Sequence, residues 1–190
     1  VIPLPKFKEN IHGNLEELLG DFSFAMSKDN ITMTAMKDRF KTGSGIRATT
    51  VLPFSSAHKY SAAVFHSNAY VLGAPEFVLR SSIVEYRDVI EEHASLGYRV
   101  LVFGLYNGQL TGGALTAPVI PLCLVLLSNP IRKDAKATFK FFADNDVQIK
   151  VISGDNPMTV SHVAMEAGIA NADKYIDAST LETYADIKKA

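Results

Sequence analysis

The spacing of apolar residues changes along the chain and predicts its elements in sequence. Apolar side chains recur at helical spacing in two early segments, residues 14–19 and 31–40, so we predict a helix in each. Asp29 or Asn30 is suited to cap the second helix. The glycine-rich segment 41–45 then interrupts the helical pattern.

The middle of the chain changes to short runs typical of strands. We predict strands at residues 50–54, 60–65, 69–73 and 99–106, and helices at residues 75–79 and 83–96. Gly97 closes the longer helix, and Asn107-Gly108 is a hairpin turn signal. This part therefore predicts an α+β fold, a twisted antiparallel sheet flanked by helices.

From Leu122 the pattern alternates between strand and helix. Strands at 122–127 and 147–152 alternate with helices at 131–145 and 156–168, which is typical of a parallel, doubly wound βαβα arrangement. Two strands do not make a stable open sheet, so we expect this part to be incomplete. We predict one domain at residues 1–121 and part of a second at residues 122–190.

Composition limits the classes of partner. The 190 residues include 19 basic and 20 acidic side chains, so no overall field favours nucleic acid. The single cysteine, Cys123, excludes an internal disulfide framework. The apolar run at 117–127 is too short for a membrane helix and contains two prolines. Since the chain opens with Val1 and ends in a polar helix-like stretch, we expect a piece of a longer protein.

The segment 151–157, Val-Ile-Ser-Gly-Asp-Asn-Pro, has the pattern of a phosphate-binding corner. A buried strand would end at a glycine, and the following helix would offer free N–H groups beside the Ser153 hydroxyl. Asp155 would repel bare phosphate unless a cation or a protonated partner lies nearby. The same pattern also fits a capped helix after a strand.

Two further segments suggest a nucleotide pocket. In residues 70–76, Gly73 and Ala74 would let a ligand approach the backbone, although a simple strand-to-helix turn explains them too. In residues 52–61, Phe54 could stack on a base and Lys59 could attract a phosphate. A core phenylalanine and a solvated lysine are the alternative.

Together these segments resemble the P-type ATPases. That family carries Pro-Phe-Ser-Ser with a following basic residue, Lys-Gly-Ala-Pro-Glu, an arginine strand, an Asp-Pro-x-Arg hinge and a Thr/Ser-Gly-Asp motif. The matching positions here are Pro53 to Ser56 with Lys59, Gly73 to Glu76, Arg99, Pro130 with Arg132, and Ser153 to Asp155. The likeness covers nearly the whole chain, more weakly before residue 48, and is nearest to bacterial cation pumps.

The resemblance implies a nucleotide-binding domain followed by part of a phosphorylation domain of the haloacid-dehalogenase type. It implies that Phe54 stacks on adenine, that Lys59 lies at the pocket mouth and that Gly73 and Ala74 line it. Arg99 would meet the phosphates. Arg132 and Pro130 would belong to a hinge, and Ser153, Gly154 and Asp155 would approach the transferred phosphoryl group.

The chain also departs from the family pattern. Leu72 replaces the expected lysine, and Asn129 replaces the hinge aspartate. The acidic residue that often precedes the phenylalanine has no clear match, Asp29 or Asn30 being nearest. The phosphorylated Asp-Lys-Thr-Gly segment does not occur, so we expect this chain to bind ATP and not to form the aspartyl-phosphate itself.

The family resemblance also implies a cofactor and partners, and two other classes of function stay open as alternatives. The resemblance implies ATP with Mg²⁺, whose protein ligands would lie outside this chain. It also implies, as partners, the remaining phosphorylation, actuator and membrane domains of the same polypeptide, at the cytoplasmic face of a membrane. The five histidines show no metal-ligand spacing, and we predict no metal site. The alternatives are a non-catalytic interaction module with a degenerate pocket and a phosphatase of the haloacid-dehalogenase type.

Overall fold

The computed structural model of the chain describes residues 1–10, 13–27, 30–128, 131–177, 180–181, 183–184 and 188. The chain forms two compact units. The first comprises Val1–Asp88 and Val100–Leu127, and the second comprises Val89–Arg99 and Ser128–Ala190. Within the described part of the chain, we find no helix with the length and apolar character needed to cross a bilayer.

The first unit is built on a six-stranded sheet in the order β1-β6-β5-β4-β3-β2. Its strands are β1 (Ile2–Pro3), β2 (Thr50–Leu52), β3 (Tyr60–Phe65), β4 (Asn68–Gly73), β5 (Arg99–Tyr106) and β6 (Val119–Leu127). The pairs β1–β6, β2–β3, β3–β4 and β4–β5 are antiparallel. The predicted antiparallel sheet with flanking helices is therefore confirmed.

Asparagine caps start the main helices of this unit. The helices are α1 (Lys6–Asn10), α2 (Leu15–Ala25), α3 (Ile31–Arg39) and α4 (Pro75–Val78), followed by a 3-10 helix at Arg80–Tyr86. The Asn14 side chain accepts a hydrogen bond from the Glu16 N–H, and Asn30 accepts one from the Met33 N–H. Asn30 is thus the cap of α3, whereas Asp29 lies outside the described residues.

The core lies between one face of the sheet and the helices α2 and α3. Phe22 of α2 and Phe103 of β5 are both fully buried, and their rings meet edge to face with centroids 5.2 Å apart. Tyr70 of β4 stacks on Phe103 at 5.7 Å. Such pairs add to the large burial energy of aromatic rings, so they fix α2 against the middle of the sheet.

The predicted strand at 122–127 does not start a second sheet. It is the end of β6, which lies between β5 and β1 in the first sheet, with Leu124 opposite Ile2. The predicted tight turn at Asn107-Gly108 is also wrong, because residues 107–118 form a longer connection between β5 and β6. The Tyr106 hydroxyl accepts the Thr116 N–H at 3.2 Å and anchors this connection.

The second unit is mainly helical in the described residues. It contains residues of α5 (Arg87–Ser95), and all of α6 (Ala135–Asp144) and α7 (Pro157–Glu166). The predicted strand at 147–152 is not formed, so the parallel arrangement is absent from residues 131–177. Residues 122–127, which we expected to lie beside it, already pair within the first sheet. Residues 147–152 therefore lack a partner strand for their backbone N–H and C=O groups.

Candidate functional site

Phe54 lies in a cavity of about 130 Å³ in the first unit. The cavity is bordered by the end of α2, the cap of α3, the segment after β2 and the start of β3; its lining residues are Met26, Ser27, Asn30, Met33, Pro53, Phe54 and Ser61. The Phe54 side chain is exposed, at 44% of its full area. An exposed ring beside buried methionines can stack on a flat apolar ligand.

The cap of α3 and the strand β3 each place a polar side chain at this cavity. The Asn30 side-chain oxygen is already engaged by the Met33 N–H at 2.8 Å, so the amide is held in place. The Ser61 hydroxyl donates to the Leu72 carbonyl at 3.4 Å. Met33 is buried and turns its side chain toward the core, which gives the cavity an apolar floor. The site can therefore hold a ring system with few polar contacts.

A tight loop after Phe54 brings the two predicted nucleotide segments together. The Lys59 N–H donates to the Ser55 carbonyl at 2.7 Å, and Lys59 itself has a positive φ of 55°. The Lys59 carbonyl then accepts the Ala74 N–H at 3.0 Å. Lys59 is exposed but does not line the cavity, so its place at the mouth of a ligand pocket stays a prediction.

A close contact with the protein's own backbone explains why residue 73 is a glycine, and the sequence did not reveal this contact. A Cβ at this position would lie 2.5 Å from the Lys59 carbonyl oxygen and 2.6 Å from the Tyr60 Cβ. The protein's own backbone thus occupies the space beside Gly73. The Ala74 N–H is also satisfied within the protein, and the proposed contact of Gly73 and Ala74 with a ligand stays a prediction.

Leu72 belongs to the core. Its side chain is only 2% exposed and packs in the cluster that includes Leu101 and Phe103. A lysine placed there would have to leave this cluster or bury its charge, which is costly without a partner. Leucine therefore suits the apolar surroundings of this position better than the family lysine would.

The Ser-Gly-Asp segment lies in the second unit together with Arg99. The Ser153 hydroxyl oxygen accepts the Asp155 N–H at 3.1 Å, which forms a local turn before α7. Asp155 faces Arg99 at 4.0 Å between Oδ1 and Nη2, with both side chains about half exposed. A pair this exposed contributes little to stability, so both groups stay available to other partners. Gly154 has open space around it.

Arg132 also lies in the second unit and pairs locally. Its guanidinium donates two hydrogen bonds to Asp134, at 3.2 and 2.9 Å. These hydrogen bonds lower the pKa of Asp134 below its usual value. The predicted hinge residues Asn129 and Pro130 lie outside the described residues, so the hinge itself stays a prediction.

Sequence reasoning missed several residues of the cavity. Met26 and Ser27 carry no motif, and Ser61 lies in the segment 52–61 without a role assigned to it. These residues come together only through the packing of α2 against the sheet. Either Met33 or Thr34 fits the helical spacing of residues 31–40, but this spacing cannot show which residues Met33 faces across the fold. Asn30, by contrast, was indicated by its capping position.

Comparison with known proteins identifies the family. No family model matches this chain. The protein named "Probable cation-transporting ATPase exp7" of Streptococcus pneumoniae is 37% identical over 161 residues, 83% of this chain and 20% of that protein. The calcium-transporting ATPase CtpE is 33% identical over 85% of this chain in Mycolicibacterium smegmatis and 32% identical over 90% in Mycobacterium tuberculosis. The chain belongs to the P-type cation-transporting ATPases.

This membership covers one segment of such an ATPase. The chain spans about a fifth of the length of the relatives it matches. The antiparallel sheet with its helices agrees with the fold that the family resemblance implied for a nucleotide-binding domain. These relatives are ATPases by name.

Proposed function

We propose that this segment of a P-type ATPase binds ATP with the adenine ring on Phe54. The observation that carries the proposal is the exposed Phe54 ring in a cavity of about 130 Å³ between Asn30, Met33 and Ser61. Sites for whole drug-sized ligands are typically about 300–1,000 Å³. The cavity therefore suits a base alone, and the ribose and phosphates would extend beyond it.

The phosphates would meet cations that the structure leaves accessible. Lys59 is exposed close to the Phe54 loop, and Arg99 is half exposed in the second unit. Magnesium would arrive with ATP and bridge its phosphate oxygens, neutralising charge as phosphoryl transfer requires. Among the described residues no group of three or more acidic, histidine or cysteine side chains could hold a metal ion.

Phosphoryl transfer would occur at an aspartate outside this chain. In the proposal, the first unit acts as the nucleotide domain and includes residues 122–127 of β6, and residues 128–190 act as part of the phosphorylation domain. Ser153, Gly154 and Asp155 would position the phosphoryl group. The apolar side chains of Val151 and Ile152 are 50% and 97% exposed, which supports cover by further segments of the same polypeptide. The whole protein would couple ATP hydrolysis to cation transport from the cytoplasmic face of a membrane.

The ATP-binding proposal is tested by calorimetry with the purified chain. Loss of base stacking costs about 1–3 kcal/mol per base, so Phe54→Ala should weaken ATP binding by about 5- to 150-fold. Phe77→Ala is a matched control, since Phe77 is 42% exposed and does not line the cavity. Equal affinities of Phe54→Ala and the wild type would contradict the proposal.

A non-catalytic module with a degenerate pocket is the second candidate. It is favoured by Leu72, which is buried where the family lysine would stand, and by the Ala74 N–H, which is engaged within the protein. A folded wild-type chain that shows no binding at millimolar ATP would support this reading. Turnover of p-nitrophenyl phosphate by the chain would instead support the phosphatase alternative.

A further inference from the structure

A second and larger cavity lies in the first unit, at the open edge of the sheet. It measures about 520 Å³ and lies between the end of α2 and the segment that leads into β2; we call it the edge pocket. Its walls include Phe24, Ile46, Ala48 and Val51. Its volume lies within the range of small-molecule sites. None of the residues assigned to ATP lines it.

The wall of the edge pocket is fixed by a buried carboxylate. Asp21 is 7% exposed, and its oxygens accept the Ser44 hydroxyl at 2.6 Å and the Gly45 N–H at 3.1 Å. The loop also approaches α2 closely, since a Cβ on Gly43 would collide with the Asp21 carboxylate. A charged group held by two hydrogen bonds restrains the loop, so the pocket wall is preorganised.

The lining combines exposed apolar groups with one unpaired cation. Phe24, Ile46 and Val51 are 53%, 42% and 38% exposed, and they converge on the same cavity. Arg47 is the cation of the described lining, and it makes no hydrogen bond or ion pair with any residue that the structure describes. Both Asp21 oxygens already accept hydrogen bonds from the Ser44 hydroxyl and the Gly45 N–H, so the donors that the charged lining offers to a ligand are those of the Arg47 guanidinium.

We propose that the edge pocket binds a small amphipathic carboxylate, a free organic acid with an apolar body. The body would cover Phe24, Ile46 and Val51, which removes their apolar area from water and favours binding. The carboxylate would accept paired N–H bonds from the Arg47 guanidinium, whose planar fork matches carboxylate geometry. The proposal is independent of ATP binding, because the two cavities share no lining residue.

The experiment uses octanoate, with octanol as the uncharged probe of the same chain length, below the concentration at which octanoate forms micelles. Amide chemical shifts of the whole chain are followed by NMR. Octanoate should give saturable shifts centred on Phe24 and on residues 46–51. Arg47→Gln should weaken octanoate binding by about fivefold, the scale of an exposed ion pair, and Arg47→Lys should weaken it less. Octanol should bind the wild type and Arg47→Gln equally.

A matched control separates this site from general attraction of anions. Arg87 is exposed and does not line the edge pocket, so Arg87→Gln should bind octanoate as the wild type does. Equal binding of octanoate by Arg47→Gln and the wild type would overturn the proposal. Shifts that spread over the chain without saturation, or an octanol affinity equal to that of octanoate, would also overturn it.

Discussion

At the scale of single residues, the close contact at Gly73 decides how two motifs meet. The Lys59 carbonyl and the Tyr60 Cβ occupy the position that a side chain would need. Gly73→Ala must displace backbone and should lower the free energy of unfolding by about 1–3 kcal/mol, the usual cost of overpacking. Urea denaturation measures this change.

The control for Gly73→Ala is Gly113→Ala. A Cβ on Gly113 would meet only the Thr111 hydroxyl oxygen, at 3.7 Å, which is an ordinary contact. This variant should stay within about 0.5 kcal/mol of the wild type. Equal stabilities of the two alanine variants would show that the backbone near Gly73 accommodates a Cβ without a cost in stability.

Cys123 gives a residue-scale prediction for alkaline pH. Burial raises the pKa of its thiol from 9.0 to about 12. The folded chain therefore keeps the proton between these values while the unfolded chain loses it, so the Cys123 contribution is full below pH 9 and falls as the pH rises toward 12. In urea titrations, the stability advantage of the wild type over Cys123→Ala should shrink across this window. A constant difference would contradict the raised pKa.

At the scale of elements, the cap of α3 also forms part of the candidate site. Asn30→Ala removes the acceptor for the Met33 N–H and should cost about 1 kcal/mol of stability. Asn30→Asp retains a good cap and should cost less. Denaturation followed by circular dichroism compares the two variants. If alanine and aspartate behave alike, the cap contributes nothing measurable to α3.

Element by element, the sequence predicted what local signals specify. The helices α2 and α3 follow from apolar spacing and, for α3, from the cap Asn30. The helix α7 begins after Asn156, whose side chain accepts the Met158 and Thr159 N–H groups as a cap. The strand at 147–152 was wrong because its apolar run cannot show whether a partner strand is free. Its predicted partner, residues 122–127, instead pairs with β1 and β5. This pairing depends on segments that are distant in the sequence.

At the scale of the whole molecule, the two units differ in how much apolar surface they bury. The first unit has a continuous core around Phe22 and Phe103, whereas α6 has no buried residue. Regions with few buried contacts open at lower free energy. Amides of α6 should therefore exchange with deuterium at least about 100-fold faster than those of β4, as measured by native-state hydrogen exchange. Equal protection would show that α6 is as stable as the sheet.

The sequence by itself determined the family motifs, the capped helices and the antiparallel character of the middle segment, because these depend on residues close together in the chain. Tertiary structure alone decided that β6 joins the first sheet, that Met26 and Ser61 border Phe54, and that an edge pocket forms around Arg47. Strand partners and cavity walls come from distant segments. Their selection depends on which surfaces are buried together, which no local pattern records.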